Sequence, residues 1–209
     1  MKTFRETVYD NIPEAMKLQL ARVPFQALQI MDIVRQSHIL FSLDVAKDLA
    51  PYLRRIAVDY CLFILAQRDP SYSAKIELNK KKNSRHVELT FGNNILTASF
   101  VKDCNELPRD AIFRNELIEQ NPLLPYQEIE TTKETTDQQY MILTYGGEYS
   151  TSIDFVNLKF PLKEGGHITY DLMPFAKLNH DDGIAPTENT DQDIAIELKN
   201  FIVQNKLVQ

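Results

Sequence analysis

A cluster of cationic side chains is the most distinctive chemical feature of the sequence. Lys80, Lys81, Lys82 and Arg85 lie within six residues of each other in a chain whose formal net charge is −6. Cations grouped in this way repel each other unless water or an anion surrounds them, and nucleic-acid phosphates are suitable anions. We call residues 80–85 the basic loop and predict that it contacts phosphate. A solvated turn that protects a sheet edge is the alternative.

Two further arginines, Arg54 and Arg55, lie on a predicted helix upstream of the basic loop. Two short helices, a longer helix and a basic hairpin together resemble a winged helix whose wing touches the DNA backbone. The longer helix is too apolar, however, to offer the polar face that groove reading requires. We therefore predict that these arginines and the basic loop bind nucleic acid through its phosphates.

A metal-dependent nuclease is an alternative interpretation. The predicted order of helix, three strands, helix and strand resembles the core of many restriction-type nucleases. Those enzymes hold a divalent metal with a carboxylate on the second strand and a carboxylate-x-Lys pair on the third. Glu88 and Lys102 are available, but Phe100 stands where the third-strand acid is needed. The sequence leaves open whether Glu88, Lys102 and Asp154 meet in a cleft.

Other reactive groups are too scattered to predict a catalytic centre. Cys61 and Cys104 match neither a zinc-binding nor a redox spacing. The run from His180 to Asp182 is dense in metal-ligating types, but consecutive loop side chains seldom converge on one ion. We therefore predict no catalytic residue, no metal site and no cofactor, and a non-enzymatic regulatory role. An acidic protein–protein interaction module, such as an adaptor or inhibitor, is the remaining alternative.

The first third of the chain is predicted to be helical. Apolar residues recur every three or four positions over residues 42–68, which is the spacing of a helix face. Pro51 lacks an N–H and suits only a first turn, so we predict a short helix to about Leu49 and a second helix beyond it. By the same reasoning, Pro24 is predicted to end one helix at about Arg22 and to begin another.

After Asp69 the sequence pattern changes to strands. The Pro108–Gln120 region predicts a helix, residues 126–139 a polar loop, and Pro174 onwards a long loop before a final helix that begins near Thr190. Apolar and polar residues alternate in six segments, with a bulge near Val156. These segments are residues 75–79, 86–91, 95–101, 140–145, 152–160 and 167–173.

The fold class predicted from this order is α+β. An N-terminal helical bundle, residues 1–69, would pack on a mostly antiparallel β-sheet formed by residues 70–209, with a C-terminal helix, and the two regions could equally form one continuous domain. Hydrophobic residues make up 44% of the chain and charged residues 25%, as in ordinary globular proteins. Since no signal peptide or membrane-spanning segment is visible, we predict a soluble, cytoplasmic protein whose partner is nucleic acid or protein rather than a membrane.

Overall fold

The computed structural model describes residues 12–37, 39–121, 139–147 and 152–177. Helices precede the sheet in the chain, and one further helix interrupts the strands, which confirms the predicted α+β class. The helices are α1 (Glu14–Ser37), α2 (Ala50–Arg68), α3 (Ile112–Ile118) and α4 (Met173–Lys177), with 3-10 helices at Ile39–Ser42 and Asp44–Leu49. The strands are β1 (Tyr72–Leu78), β2 (Arg85–Phe91), β3 (Asn94–Phe100), β4 (Gln139–Gly146), β5 (Phe155–Pro161) and β6 (His167–Asp171).

The six strands form one sheet in chain order. Neighbouring strands are antiparallel except β3 and β4, which are parallel. Antiparallel neighbours can be joined by tight turns, whereas a parallel pair needs a crossover connection, and α3 lies in the segment that joins β3 to β4. The predicted mostly antiparallel sheet, with its three-stranded meander β1–β3, is therefore confirmed.

Helices cover both faces of the sheet. Alternate strand residues form an apolar face under α1 and α2, where Leu89, Leu96 and Leu143 are fully buried. The opposite face carries a smaller apolar cluster in which Ile95 and Ile142 pack with Leu117 of α3. The rest of that second face is rich in polar side chains, so a functional site is expected on this face.

The predicted break of α1 at Pro24 is wrong, because α1 runs without interruption from Glu14 to Ser37. A proline inside a helix costs about 3 kcal/mol. Leu20, Val23 and Ala27 flank it and are almost completely buried against the rest of the core. Burying Leu20 and Val23 contributes about 1.5–3 kcal/mol each, which together offsets the cost of the proline.

The predicted division before α2 is confirmed, since α2 begins at Ala50 with Pro51 in its first turn. The segment before it, Asp44–Leu49, is a 3-10 helix rather than an α-helix. It contains no buried residue, so no apolar face stabilises a longer α-helix there. Short 3-10 segments at the start of an α-helix are common for this reason.

The end of the described sheet differs from the prediction in two details. Val156, Leu158 and Phe160 share one face of a regular β5, so the predicted bulge is absent from this strand. β6 ends at Asp171 rather than Met173, and a helix, α4, replaces the start of the loop predicted from Pro174; the Met173 N–H donates to Asp171 Oδ1 at 2.8 Å. The predicted final helix near residue 190 and the polar loop at residues 126–138 lie outside the described residues.

None of the helices in the described ranges is long and apolar enough to cross a lipid bilayer.

Asp59, a partly buried carboxyl group on α2, provides a test of the packing between α2 and the sheet. Burial raises the pKa of Asp59 to about 7, although Arg55 and a hydrogen bond from the Val87 backbone act in the opposite direction. In the unfolded chain the pKa is about 3.9. Between these values the folded state holds a proton that the unfolded state has lost, so the contribution of Asp59 to the free energy of unfolding falls as the pH rises from about 4 to 7.

Asp59→Asn is therefore expected to have a higher free energy of unfolding than wild type at pH 8, and this advantage should be absent at pH 4. The expected difference at pH 8 is roughly 1–4 kcal/mol, because each pKa unit is worth about 1.4 kcal/mol. Urea unfolding of both proteins across this pH range measures the effect. Asp44→Asn is the control, since its carboxylate is 90% exposed. A stability difference between Asp59→Asn and wild type that is the same at pH 4 and pH 8 would contradict the expectation.

Candidate nucleic-acid interface

The basic loop forms the turn between β1 and β2 and has a defined shape. The Asn79 N–H donates to Ser84 O at 2.9 Å, and the Lys82 N–H donates to Asn79 O at 2.8 Å. Asn79 Oδ1 accepts a further hydrogen bond from the Asn83 N–H at 3.1 Å. Lys82 adopts a φ of 55°, which few non-glycine residues do. Because these bonds fix the backbone, little conformational entropy is lost when the loop meets a ligand.

The lysines of the basic loop differ in their surroundings. Lys80 is paired with Glu116 of α3. Lys81 and Lys82 are exposed, and neither forms an ion pair with a carboxylate in the part of the chain that the structure describes. Arg85, the first residue of β2, is half-buried opposite Leu78. The two central lysines therefore present their charge to solvent.

The two arginines of α2 that were predicted to bind phosphate lie in different surroundings. Arg55 is exposed, and its Nη1 donates to Ser84 Oγ at 2.8 Å, which brings the guanidinium to the basic loop. Arg54 is 5% exposed, and its guanidinium carbon lies 3.6 Å from the centroid of the Phe100 ring. Consecutive helix residues point about 100° apart, so only one of the pair can face the loop. The structure groups Arg55 with the basic loop and leaves Arg54 in the core.

A cleft of about 360 Å³ lies on the second face of the sheet, between the β1–β2 hairpin and α3. Glu88 is buried at its floor, with Oε1 3.2 Å from His86 Nε2 and Oε2 3.0 Å from Lys75 Nζ. These two partners hold the pKa of Glu88 below its usual value, although burial acts in the opposite direction. The His86 ring stacks on Phe113 with centroids 3.9 Å apart. The negative charge at the floor is thus already compensated.

The described residues do not assemble a nuclease centre around Glu88. The β3 side chains on its face of the sheet are Ile95, Thr97 and Ser99, of which Thr97 bonds the Tyr140 hydroxyl at 2.6 Å. Phe100 faces the opposite side, under Arg54. Within the described residues there is no group of three His, Cys, Asp or Glu side chains that could hold a metal ion.

Lys102 lies just beyond the end of β3, and Asp154 lies directly before β5, where its N–H donates to Gly146 O at the end of β4. Lys102 follows Val101, whose N–H donates to Tyr145 O at 3.1 Å. Asp154 packs against Gly147, where a Cβ on the glycine would come within 2.3 Å of Asp154 Oδ2. The ion pairs of Glu88 are made with Lys75 and His86 instead.

Comparison with known proteins finds no match. No protein-family model, no curated protein and no solved structure is detectably similar to this chain.

The cluster of charged side chains at the cleft floor was not predicted from the sequence. It links Glu77, Lys75, Glu88 and His86, with Lys75 Nζ also 3.2 Å from Glu77 Oε1. The signal was present, because a hairpin closed by the basic loop pairs residue 75 with 88 and residue 77 with 86. Side chains opposite each other on antiparallel strands lie on the same face and in contact.

A buried lysine, Lys159 of β5, was also missed. Its amine donates to Glu106 O at 2.7 Å and lies 3.1 Å from His167 Nε2, and burial lowers its pKa. Burial and the Lys159 charge in turn lower the pKa of His167. Nothing local in the sequence marks Lys159, since its partners come from a loop 53 residues earlier and from the next strand.

Proposed function

We propose that this protein binds nucleic acid through phosphate contacts made by Lys81, Lys82 and Arg55, and that its role is regulatory rather than enzymatic. The observation that supports this most is the hydrogen bond from Arg55 to Ser84. It joins a guanidinium from α2 to a preshaped loop that carries two exposed lysines. Arginine suits bidentate contact with phosphate, and lysines add compact charge. A cytoplasmic location is part of this proposal.

The net charge of −6 sets limits on this binding. Charges act over a Debye length of about 8–10 Å near physiological salt, so the local cations decide whether phosphate is held. The acidic remainder of the molecule opposes approach at longer range. We therefore expect modest affinity, in the range of about 10⁻⁴–10⁻⁶ M that is typical of phosphate-driven binding, with a steep dependence on salt.

Fluorescence anisotropy with labelled oligonucleotides tests the proposal. Each phosphate contact contributes about 0.7–0.9 to the slope of log K against log salt. Three contacting cations thus predict a slope of roughly −2 to −3 between about 50 and 200 mM salt. The absence of binding, or a slope near zero, would overturn the proposal.

A metal-dependent nuclease-like fold, either degenerate or active, is the second candidate. The β1–β3 meander, the crossover through α3 and the parallel β4 give the order of elements in restriction-type nucleases, and Glu88 faces a cleft on the second strand. Such a likeness concerns the fold alone. It is compatible with nucleic-acid binding, and it differs from the first candidate only if the cleft is active.

We expect no cleavage of plasmid, oligonucleotide or RNA when Mg²⁺ or Mn²⁺ is titrated into the purified protein. The reason is that β3 offers Thr97 and Ser99 beside Glu88, where a metal-holding carboxylate is required. Gel electrophoresis of each substrate provides the measurement. Cleavage that disappears in Glu88→Gln would contradict the expectation and favour an active nuclease, whereas cleavage that persists in this variant would indicate a contaminant.

A further inference from the structure

An exposed aromatic side chain lies one helical turn from the cation that reaches the basic loop. Tyr52 of α2 is 62% exposed, and Arg55 is three residues further along the same helix. Residues three apart on a helix lie on one side of it, with Cβ atoms about 5–6 Å apart. Tyr52 therefore lies on the same side of α2 as Arg55, whose guanidinium bonds Ser84 of the basic loop.

Two exposed leucines lie close to these residues in the sequence. Leu49, three residues before Tyr52, is 47% exposed, and Leu78, two residues before the basic loop, is 40% exposed. Phosphate covers no apolar area, so Tyr52 and the two leucines would stay in water if phosphate alone were bound. They suit a ligand that combines anionic groups with flat apolar faces.

We infer, on the basis of the proposed function, that the nucleic acid bound here is single-stranded. A single strand exposes the faces of its bases, which stack on aromatic side chains while neighbouring cations follow the backbone. In a duplex those faces are hidden by stacking and pairing, so Tyr52 and the two leucines would remain in water. Tyr52 is the stacking residue, and Arg55, Lys81 and Lys82 hold the adjoining phosphates.

Stacking and phosphate contact make different contributions, which separates this inference from the proposed function. One base stacked on an aromatic side chain is worth roughly a 5- to 150-fold change in affinity when the ring is removed. Stacking releases no condensed counterions, so it leaves the salt slope unchanged. Removal of a lysine contact instead lowers both affinity and slope.

The test compares Tyr52→Ala with Tyr52→Phe, which keeps the ring, on labelled oligo-dT, single-stranded RNA and a duplex. We expect Tyr52→Ala to lose roughly 5- to 150-fold in affinity for single strands at an unchanged salt slope, with duplex affinity unaffected and Tyr52→Phe close to wild type. Since Tyr52 is exposed, folding should be intact, which circular dichroism and thermal unfolding verify.

The outcomes separate the two claims. The single-strand inference is wrong if Tyr52→Ala binds single strands as well as wild type does, or if wild type prefers the duplex. In either case, a salt-dependent loss of affinity in the lysine variants would still support phosphate binding. If the wild-type protein binds none of the three ligands, the proposed function fails and this inference fails with it.

Discussion

Replacing Lys81 and Lys82 together by glutamate is expected to weaken oligonucleotide binding by roughly 25- to 60-fold or more at about 0.1 M salt. Two lost phosphate contacts make the slope of log K against log salt shallower by about 1.4–1.8. Over the tenfold interval from 1 M to 0.1 M salt, this slope difference corresponds to a loss of about 1.4–1.8 decades in affinity. The added carboxylates would repel phosphate and increase the loss. Anisotropy titrations of wild type and variant at several salt concentrations measure the effect.

The matched control for this variant is a second double charge reversal that includes Lys163→Glu. Lys163 lies in the turn between β5 and β6 and pairs with Glu119, away from the basic loop in the sheet order. A Lys163→Glu, Lys177→Glu double variant changes the net charge by the same amount, because Lys177, in α4 after β6, is also exposed. Equal losses in both double variants would mean that net charge, rather than the basic loop, governs binding.

Asn121→Ala is expected to lower the free energy of unfolding by about 3–5 kcal/mol. The Asn121 side chain is 3% exposed and donates from Nδ2 to Tyr140 O at 3.1 Å and to Pro161 O at 2.7 Å, while its Oδ1 accepts from the Tyr140 N–H at 2.6 Å. Each buried polar group left without a partner costs about 1–3 kcal/mol. Total stability is typically about 5–15 kcal/mol, so the loss should be plain in urea unfolding.

Two neighbouring variants sharpen this expectation. Gln120→Ala should change stability little, since Gln120 is exposed and its amide makes only a 3.5 Å contact with Glu116 O. Asn121→Asp keeps the acceptor and removes both donated bonds, so it should be destabilised as well. If Asn121→Ala and Gln120→Ala unfold at the same urea concentration, the Asn121 side chain does not hold β4 and β5 as described.

Local signals explain which parts of the fold could be predicted. The strands β1–β3 and the basic loop follow from alternation and turn residues within two consecutive hairpins. The continuity of α1 through Pro24 could not be foreseen, because it depends on burial against elements far along the chain. The Asn121 bonds were equally invisible, with partners 19 and 40 residues away.

The candidate site was predictable to the extent that neighbouring residues form it. Charge density alone pointed to the basic loop and to the arginine pair. The separation of Arg54 from Arg55 required knowing which side of α2 faces the sheet, and the bond from Arg55 to Ser84 spans 29 residues. The exposure of Tyr52 likewise became evident only once α2 was placed.

The salt slope of oligonucleotide binding tests the central claim most directly, measured for wild type beside the neutral variant Lys81→Gln, Lys82→Gln. This variant removes the two charges without adding repulsion. The account predicts a wild-type slope of roughly −2 to −3 and a variant slope shallower by about 1.4–1.8. Identical slopes for the two proteins would show that the basic loop does not contact phosphate.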